Sequence, residues 1–297
     1  MTDVPVALFL YNRAELVRAS VAALRAVAPR KIFLIADGPR ANAEDRGRTE
    51  TTRAAAESID WSCDVTKIYA DDNLGCSRRI ASGITEVLRQ SEAAVILEDD
   101  CIAEPTFFRF AAELLEKYAA DDRVAGVSGD NFHFGRTYGA DSYLFSDFPH
   151  CWGWATWARA WSSYDREMTG WDAFRSSGWL EREFGAVGAR YWRNALDATS
   201  RGEIDSWAYR WSYACWRNAR LTIIPSVNLV ANLGFGATAS HTRRRSALER
   251  VPAKPMAFPL SHPARVERNV DADRRIEKHV FERPRLLWLD RAASVFR

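Results

Sequence analysis

The segment Val95-Ile96-Leu97-Glu98-Asp99-Asp100-Cys101 decides the fold prediction, because an apolar run ends there abruptly in three acids. An apolar run without alternation is typical of a strand buried on both faces, as in a mainly parallel sheet. Acids at the carboxyl end of such a strand lie where open α/β sheets bind their ligands. Three adjacent carboxylates repel one another, and burying them unpaired is costly. The motif therefore predicts a site for a divalent cation and for an anion held by it, with a nucleoside diphosphate as the best candidate.

Strand and helix patterns alternate through the first half of the chain. The predicted strands are Val4–Leu10, Lys31–Ala36, Val65–Ala70, Ala93–Leu97 and Val124–Ser128. The predicted helices between them are Ala14–Val27, Asp45–Ile59, Ser77–Gln90 and Pro105–Tyr118. This βαβα order predicts an α/β fold with a doubly wound, mainly parallel sheet flanked by helices and joined by right-handed crossovers.

Polar, acidic or glycine-containing segments follow each of the first four predicted strands. They are Asn12-Arg13, Asp37-Gly38, Asp71 to Gly75 and Glu98 to Asp100. One such ending means little because loops are polar, and a solvated acidic turn is the alternative for the three acids. Four such endings at one edge of the same sheet predict a crevice that binds a ligand. The sequence has no G-x-G-x-x-G, P-loop or G-x-S-x-G motif, which disfavours a dinucleotide dehydrogenase, a P-loop enzyme and a hydrolase.

Composition limits the possible classes only loosely. The 297 residues are 47% hydrophobic and 27% charged, enough for one large α/β domain or two smaller ones. A net charge of +2 argues against a dedicated nucleic-acid binder. The five cysteines are scattered, which predicts free and mostly buried thiols in a reducing compartment. Arg13 and Glu15 interrupt the apolar start, so we expect neither a membrane span nor a signal peptide there, and a cytoplasmic location is the default.

The succession of strand endings resembles the nucleotide-sugar half of GT-A glycosyltransferases: an Asn-Arg turn, Asp-Gly, Asn-x-Gly before a basic helix, then Glu-Asp-Asp. The segment Val95–Phe110 is similar to N-acetylglucosaminyltransferase I, which also carries an acid-Asp-Asp motif followed by Pro and a Phe pair. The likeness extends, with gaps, from Val4 to about Thr242. It implies a GT-A fold with a nucleotide-sugar half at 1–130, an acceptor and catalytic half at 131–245, and an extension at 246–297.

The resemblance also implies roles for individual residues. Those that would contact the nucleotide, favoured to be UDP, are Asn12, Arg13, Asp37, Asn73, Arg78, Arg79, Glu98, Asp99 and His241. Arg13 would meet the diphosphate, Asp37 would accept a hydrogen bond from the nucleobase, and Glu98 and Asp99 would orient the ribose. Asp100 would be the protein ligand to Mn²⁺ or Mg²⁺, with the diphosphate and waters completing the shell. For Arg78 and Arg79, a solvated helix face is an equally good interpretation.

The second half of the chain is rich in tryptophan, with ten of the twelve between Trp152 and Trp216. Tryptophan suits both core packing and contact with the apolar face of a sugar ring. We expect most of these side chains to pack in the core, and Trp152, Trp154 and Trp207 to contact the sugar or acceptor. Gly153, between two tryptophans, predicts close approach of a backbone or a ligand. This half is therefore predicted to be an acceptor subdomain.

An inverting transfer needs a base that takes the proton from the acceptor hydroxyl. The segment Gly202-Glu203-Ile204-Asp205-Ser206-Trp207 resembles the Asp-x-Trp segment that bears the base in N-acetylglucosaminyltransferase I. Asp205 is therefore the candidate base, and Glu203, expected near the acceptor, is the second choice. The alternative for Asp205 is an N-cap, because a helical pattern follows from Trp207 to Asn218.

Two later segments extend the predicted site. Residues Asn232 to Thr242 hold two glycines followed by His241, which predicts a loop that closes over the diphosphate. In the resembled enzyme a Gly-rich loop also ends in Ser-His, so His241 could contact phosphate or ligate the metal, although a lone loop histidine more often does neither. The basic tail Arg283–Arg297 has an apolar helical stripe at Leu286, Leu289, Ala293 and Phe296. Such a helical tail packs on its own domain or a second subunit, or lies on an anionic membrane.

The sequence as a whole predicts a metal-dependent, inverting hexosyl- or N-acetylhexosaminyltransferase. It would move a sugar from a nucleoside-diphosphate donor to a carbohydrate or a glycolipid, as in polysaccharide biosynthesis. A sugar nucleotidyltransferase is disfavoured, because Leu10 to Arg13 is not the Gly-rich basic loop that those enzymes carry after the first strand. A retaining GT-A enzyme with His241 as a metal ligand and a non-catalytic carbohydrate-binding protein remain as alternatives.

Overall fold

The computed structural model describes residues 3–234, 248 and 251–282. The predictions for His241 and for the tail at 283–297 lie outside the described residues, as does most of the Gly-rich loop. The strands are Val6–Leu10 (β1), Lys31–Ala36 (β2), Asp64–Tyr69 (β3), Ala93–Glu98 (β4), Cys101–Ala103 (β5), Val124–Ser128 (β6), Tyr143–Ser146 (β7), Trp154–Trp157 (β8), Leu221–Pro225 (β9) and Val230–Asn232 (β10).

Helices alternate with the strands in the first half and dominate the second. They are Ala14–Arg25 (α1), Ala43–Ala56 (α2), Cys76–Gln90 (α3), Pro105–Lys117 (α4), Ala158–Trp161 (α5), Trp171–Ser176 (α6), Trp179–Ser200 (α7), Trp207–Arg217 (α8) and Val270–Ile276 (α9). A π-helical turn at Glu277–Glu282 continues α9. None of the helices in these ranges combines the length and the apolar character that a membrane crossing requires.

One eight-stranded sheet forms the centre of the molecule, with the strand order β3-β2-β1-β4-β8-β6-β9-β7. The four strands β3, β2, β1 and β4 are parallel neighbours, and β6 is parallel to β9. Two strands run the other way: β8 lies between β4 and β6, and β7 lies at the edge beside β9. A second, two-stranded antiparallel sheet pairs β5 with β10. The predicted mainly parallel α/β sheet flanked by helices is confirmed.

Burial explains why the central strands lack alternation. Every residue of β1 is at most 5% exposed, and Ile32 to Ala36 of β2 are 0% exposed, because helices cover both faces of the sheet. Helix α3 lies very close to one face. A Cβ added at Gly83 would come within 2.5 Å of the Phe9 ring and 2.8 Å of the Ile35 side chain, so glycine is required for this approach.

Helix α2 begins earlier and ends earlier than its pattern predicts. The Asn42 side chain accepts a hydrogen bond from the Asp45 amide at 2.8 Å and caps the helix, which therefore starts at Ala43 rather than at Asp45. The helix ends at Ala56 instead of Ile59. Ile59 instead packs on the core from the loop that follows.

Most tryptophans of the second half are core residues, as predicted. Eight of the ten between Trp152 and Trp216 are at most 5% exposed. One group joins β8 to α5 and α8, and a second aromatic cluster around Trp192 and Trp216 fills the space between α7, α8 and the π-helical turn. The described cysteines are all free thiols, three of them buried.

A partly buried ion network attaches the C-terminal part of the described chain to this second half. Arg268 donates hydrogen bonds to Asp273 at 2.6 Å and to Glu183, and it pairs with Asp147 at 2.8 Å. Burial, the largest cause, raises the pKa of Asp147 to about 7 despite the opposing charge of Arg268. Breaking such a network by removing the arginine would leave buried carboxylates unpaired, so it holds α9 in place.

Candidate active site

The four polar strand endings meet at one edge of the sheet. Because β3, β2, β1 and β4 are adjacent and parallel, their carboxyl ends lie side by side. Glu98 is the last residue of β4, and Asp99 and Asp100 form the turn into β5. These strand ends carry the segments that the sequence analysis predicts to form a ligand crevice.

Arg13 pairs with two of the three acids. Its Nη2 donates to both Asp99 and Asp100, the latter at 2.9 Å, and its Nε donates to Asp99 at 3.2 Å. Asp99 is 3% exposed, and Ser20 Oγ donates to its carbonyl at 2.9 Å. The guanidinium that was predicted to meet the diphosphate therefore already balances the acids, and Asp99 is held against α1.

The three acids carry more negative charge than one arginine offsets. Burial is the largest cause that raises the pKa of Glu98 to about 8, followed by repulsion from Asp100 and Asp99. Burial also raises the pKa of Asp99 to about 6, although Arg13 opposes the shift. The Glu98 carboxyl receives no hydrogen bond from any residue in the described ranges. A cation bound beside Glu98 and Asp100 would relieve this excess charge.

The acids fit a divalent cation that is shared with a phosphate ligand. Among the described residues, no three His, Cys, Asp or Glu side chains form a group able to hold a metal. Mg²⁺ does not need such a cage, because it is commonly bound through one or two carboxylates, water and the phosphates of a substrate. Asp100 and Glu98 can supply those carboxylates. A Cβ at Gly234 would lie 2.3 Å from Asp100 Oδ2, so the first residues of the Gly-rich loop pack directly on this carboxylate.

Asp37, the predicted contact for a nucleobase, accepts hydrogen bonds from the loop that follows β3. Its two carboxylate oxygens accept hydrogen bonds from the amides of Gly38, Leu74 and Gly75 and from the Asn73 side chain, at 2.8–3.1 Å. Asn73 also donates to the Gly38 carbonyl at 2.9 Å. Because four donors occupy the carboxylate, Asp37 and Asn73 together fasten the β3–α3 loop to the end of β2.

Asn12 also serves to hold a neighbouring element. Its side chain donates to Asp45 at 2.6 Å, and the Tyr11 hydroxyl donates to the same carboxylate. These bonds fix the β1–α1 turn to the first turn of α2. On α3, the two candidate arginines separate: Arg78 is exposed, whereas Arg79 is buried at the first turn.

Asp205 is not the N-cap of α8. Ser206 takes that position and its Oγ accepts a hydrogen bond from the Tyr209 amide at 3.3 Å. The Asp205 side chain is exposed and makes no hydrogen bond to a described residue. Glu203, the second candidate, is paired on the surface with Arg201 at 2.6 Å. Asp205 is therefore the carboxylate of this segment that is not engaged by another described side chain.

The first turn of α3 lies close to Asp205 and to three acids of the strand ends, Glu98, Asp100 and Asp37. A Cβ at Gly75 would lie 3.7 Å from Asp205 Oδ2. Desolvation and then the charges of Glu98, Asp205, Asp100 and Asp37 raise the pKa of the Cys76 thiol. Carboxylates at the ends of β2 and β4 and from the segment before α8 thus lie near one turn of helix, although Asp205 follows Asp100 by more than a hundred residues.

Trp154 and Trp207, predicted to contact the sugar or acceptor, are both packed in the core. They are 2% and 3% exposed, and their rings stack on each other with centroids 5.7 Å apart. This packing leaves little of either ring open to a ligand. Trp152 is only partly buried and lies two residues before β8. Gly153 has φ +68°, and a Cβ there would lie 2.7 Å from Val230, so the predicted close approach is to a protein side chain.

Asp130, just after β6, is a buried acid that the sequence analysis missed. It is 0% exposed and accepts hydrogen bonds from Ser128 Oγ and from the Trp152 amide, both at 3.0 Å. Burial raises its pKa to about 8 despite these bonds. The available signal was the polar segment after the fifth predicted strand, which follows the same rule as the other four endings.

Asp130→Asn should change how stability depends on pH. Because the folded-state pKa of Asp130 lies above its ordinary value, its ionisation penalises the folded state, and stability is lost as pH rises from about 4 towards about 8. Asparagine cannot ionise, so the variant should gain on the order of 4 kcal/mol relative to wild type between pH 5 and pH 8. Denaturant unfolding at several pH values measures this gain. A difference that does not grow with pH, or that grows equally in the exposed-site control Asp172→Asn, would refute the assignment.

Comparisons with known proteins find distantly similar structures and do not assign an activity. Neither a protein-family model nor a curated protein matches this sequence. A mannosyltransferase from Pyrobaculum calidifontis, solved with GDP-Man and Mn²⁺, is similar over 74% of this chain and 77% of its own, with 16% identity and a TM-score of 0.38. A 4-diphosphocytidyl-2C-methyl-D-erythritol synthase from Anaerococcus prevotii is similar over 55% of this chain and 75% of its own, with 10% identity and a TM-score of 0.37.

A third similar structure is a UDP-glucose pyrophosphorylase complexed with UDP-glucose. It matches 48% of this chain and 62% of its own, with 9% identity and a TM-score of 0.28. Likenesses at this level do not assign a donor, an acceptor or a reaction to this chain. Its function must be argued from its own residues.

Proposed function

We propose that this protein is a metal-dependent inverting glycosyltransferase of GT-A type that uses a nucleoside-diphosphate sugar. The observation that carries the proposal is the convergence of Asp205 with Glu98 and Asp100 around the first turn of α3. An exposed carboxylate near a cluster of acids suits a reaction that requires both a general base and a bound cation. A base must accept a proton from the acceptor, and a cation must neutralise the leaving diphosphate.

Asp205 is the proposed base. As the acceptor hydroxyl attacks the anomeric carbon, its proton moves to a carboxylate oxygen of Asp205, while the bond between that carbon and the diphosphate oxygen breaks. Asp205 suits this role because Ser206 caps α8 in its place and no described side chain occupies its oxygens. Attack from the side opposite the diphosphate inverts the anomeric configuration.

Asp100 and Glu98 would hold the Mn²⁺ or Mg²⁺ ion, which supplies the positive charge that stabilises the departing diphosphate. Arg13 fixes the orientation of Asp100 and of Asp99 through its forked hydrogen bonds. Trp152, which is partly exposed, is the proposed contact for the sugar or the acceptor. The donor is proposed to be UDP-linked and the acceptor a carbohydrate or a glycolipid, following the family resemblance.

The test is a panel of nucleoside-diphosphate sugars incubated with the protein, with and without Mn²⁺. We expect metal-dependent release of one nucleoside diphosphate, accelerated by oligosaccharide or glycolipid acceptors, and a product of inverted anomeric configuration. A retained configuration would contradict the inverting mechanism. Formation of nucleoside triphosphate from pyrophosphate and a nucleotide sugar would identify a nucleotidyltransferase. Sugar binding that needs neither metal nor nucleotide would identify a non-catalytic lectin-like protein.

A further inference from the structure

The N-terminus of α3 has no cap among the described residues. The helix is 15 residues long, and the residue before it, Gly75, offers no side chain. The amide of Gly75 is bound by Asp37, but the amides of Cys76, Ser77 and Arg78 donate to no residue in the described ranges. Uncapped amides at the start of a long helix, together with its dipole, attract an anion.

Two buried polar side chains at the same turn also have no partner. Ser77 is 1% exposed, and its hydroxyl has no hydrogen-bond partner among the described residues. Arg79 is 9% exposed, and its buried Nε likewise has none. Burying a hydroxyl or a guanidinium without partners is costly, so such groups normally signal a ligand that completes them.

The fold directs Arg79 towards the crevice. Gly83, one turn further along α3, packs on Phe9 and Ile35, so this face of the helix lies on β1 and β2. Helical side chains lean towards the N-terminus, which for Arg79 is the carboxyl edge of the sheet. Asp37 lies at that edge, and its negative charge stabilises the charged form of Arg79. Its carboxylate oxygens, however, already accept hydrogen bonds from four N–H donors. Arg79 therefore lies near the strand ends, and no residue in the described ranges forms a hydrogen-bonded ion pair with it.

The charges around this turn select the kind of anion. Cys76, the first residue of α3, lies in the electrostatic field of four carboxylates, those of Glu98, Asp205, Asp100 and Asp37. A bare anion at this position would therefore be repelled. A diphosphate that carries a divalent cation presents both signs of charge, so that the carboxylates would hold the cation and the amides, the hydroxyl and the guanidinium would bind phosphate oxygens.

We propose that the first turn of α3, with Ser77 and Arg79, is the phosphate-binding arm of the site and receives a metal-bound diphosphate. The anionic class of the ligand follows from these residues alone, and its identity as the diphosphate of a sugar donor rests on the proposed function. In this arrangement Arg13 stays with the acids, and Arg79 supplies the positive charge that reaches the phosphate.

The experiment is calorimetric titration of the protein with inorganic pyrophosphate in Mg²⁺, so that no sugar or nucleotide is required. We expect Arg79→Met to weaken binding at least about tenfold and Ser77→Ala to weaken it about threefold or more, because each loses a hydrogen bond to a charged group. Arg89→Met, the same change at the exposed end of the same helix, should bind as wild type does. Failure of wild type to bind pyrophosphate, or equal binding by Arg79→Met, would overturn the proposal.

Stability without ligand separates this role from a structural one. If Arg79 only balances the charge of Asp37, Arg79→Met should lower the free energy of unfolding in the absence of pyrophosphate. If the role of Arg79 is to bind phosphate, Arg79→Met should be as stable as wild type or more stable in the absence of ligand. It should lose only the stabilisation that added pyrophosphate provides. Should Arg79→Met not fold, Ser77→Ala gives the same comparison.

The outcome is distinguishable from that of the proposed function. Pyrophosphate binding that depends on Arg79, with no transfer from any sugar donor, would support the phosphate-binding arm and contradict the proposed glycosyltransferase activity. Sugar transfer that is unchanged in Arg79→Met would support the enzymatic activity and contradict the phosphate-binding arm.

Discussion

Asp205→Asn should reduce the rate of sugar transfer by about 10²–10⁴-fold, the range that a positioned general base contributes. Asparagine has nearly the same size and keeps an exposed polar group beside Gly75, but it cannot take the proton of the acceptor hydroxyl. Because Asp205 is not the cap of α8, the helix should be unaffected. Affinity for the nucleoside diphosphate should stay within about twofold, since Asp205 is assigned no contact with it.

The measurement is steady-state transfer with the donor identified in the panel, together with nucleotide affinity for each variant. Asp172→Asn, at an exposed site on α6, is the matched control and should transfer at the wild-type rate. Glu203→Gln tests the second candidate. Turnover retained by Asp205→Asn, or a loss that instead follows Glu203→Gln, would remove Asp205 as the base.

The architecture of the first half was predictable because its signals are local. Each buried strand is an unbroken apolar run and each helix has its own pattern, so all five predicted strands and four helices occur. The direction of β8 was not predictable in this way. Its residues, Trp154 to Trp157, are buried on both faces, and such a segment has the same pattern whether it runs parallel or antiparallel to its neighbours.

The roles of single charged residues depended on partners that are distant in sequence. Arg13 contacts Asp99 and Asp100, which lie more than eighty residues away in sequence. The Asp37 carboxylate accepts hydrogen bonds from amides of the β3–α3 loop. A sequence pattern identifies such residues as polar and near a strand end. It does not reveal that another side chain has already taken their hydrogen-bonding capacity.

Tryptophan gave the least specific signal. An aromatic ring that can stack on the apolar face of a sugar can equally stack on another ring, and the Trp154 and Trp207 rings stack on each other. Arg78 and Arg79 were equivalent in the sequence, and only the packing of α3 on β1 and β2 buries one and exposes the other.

Asp100→Asn should abolish the metal-dependent binding of a nucleoside diphosphate. The change removes the negative charge that would hold the cation, while Arg13 keeps its hydrogen bonds to Asp99. Without a ligand the variant should unfold close to the wild-type temperature, because the Asp100 carboxylate lies at the crevice and has only Arg13 and the Cys101 thiol as hydrogen-bond donors among the described residues. Asp172→Asn again serves as the exposed control.

The most direct test is thermal unfolding of wild type and Asp100→Asn against a panel of nucleoside diphosphates, each with and without Mn²⁺. A ligand at a hundredfold excess over its Kd stabilises the folded state by about 2.7 kcal/mol, which is several °C in Tm. We predict such a shift for wild type with one nucleotide, only when Mn²⁺ is present, and its loss in Asp100→Asn. A shift that needs no metal or that persists in the variant, or no shift with any nucleotide, would mean that these acids do not form a metal–diphosphate site.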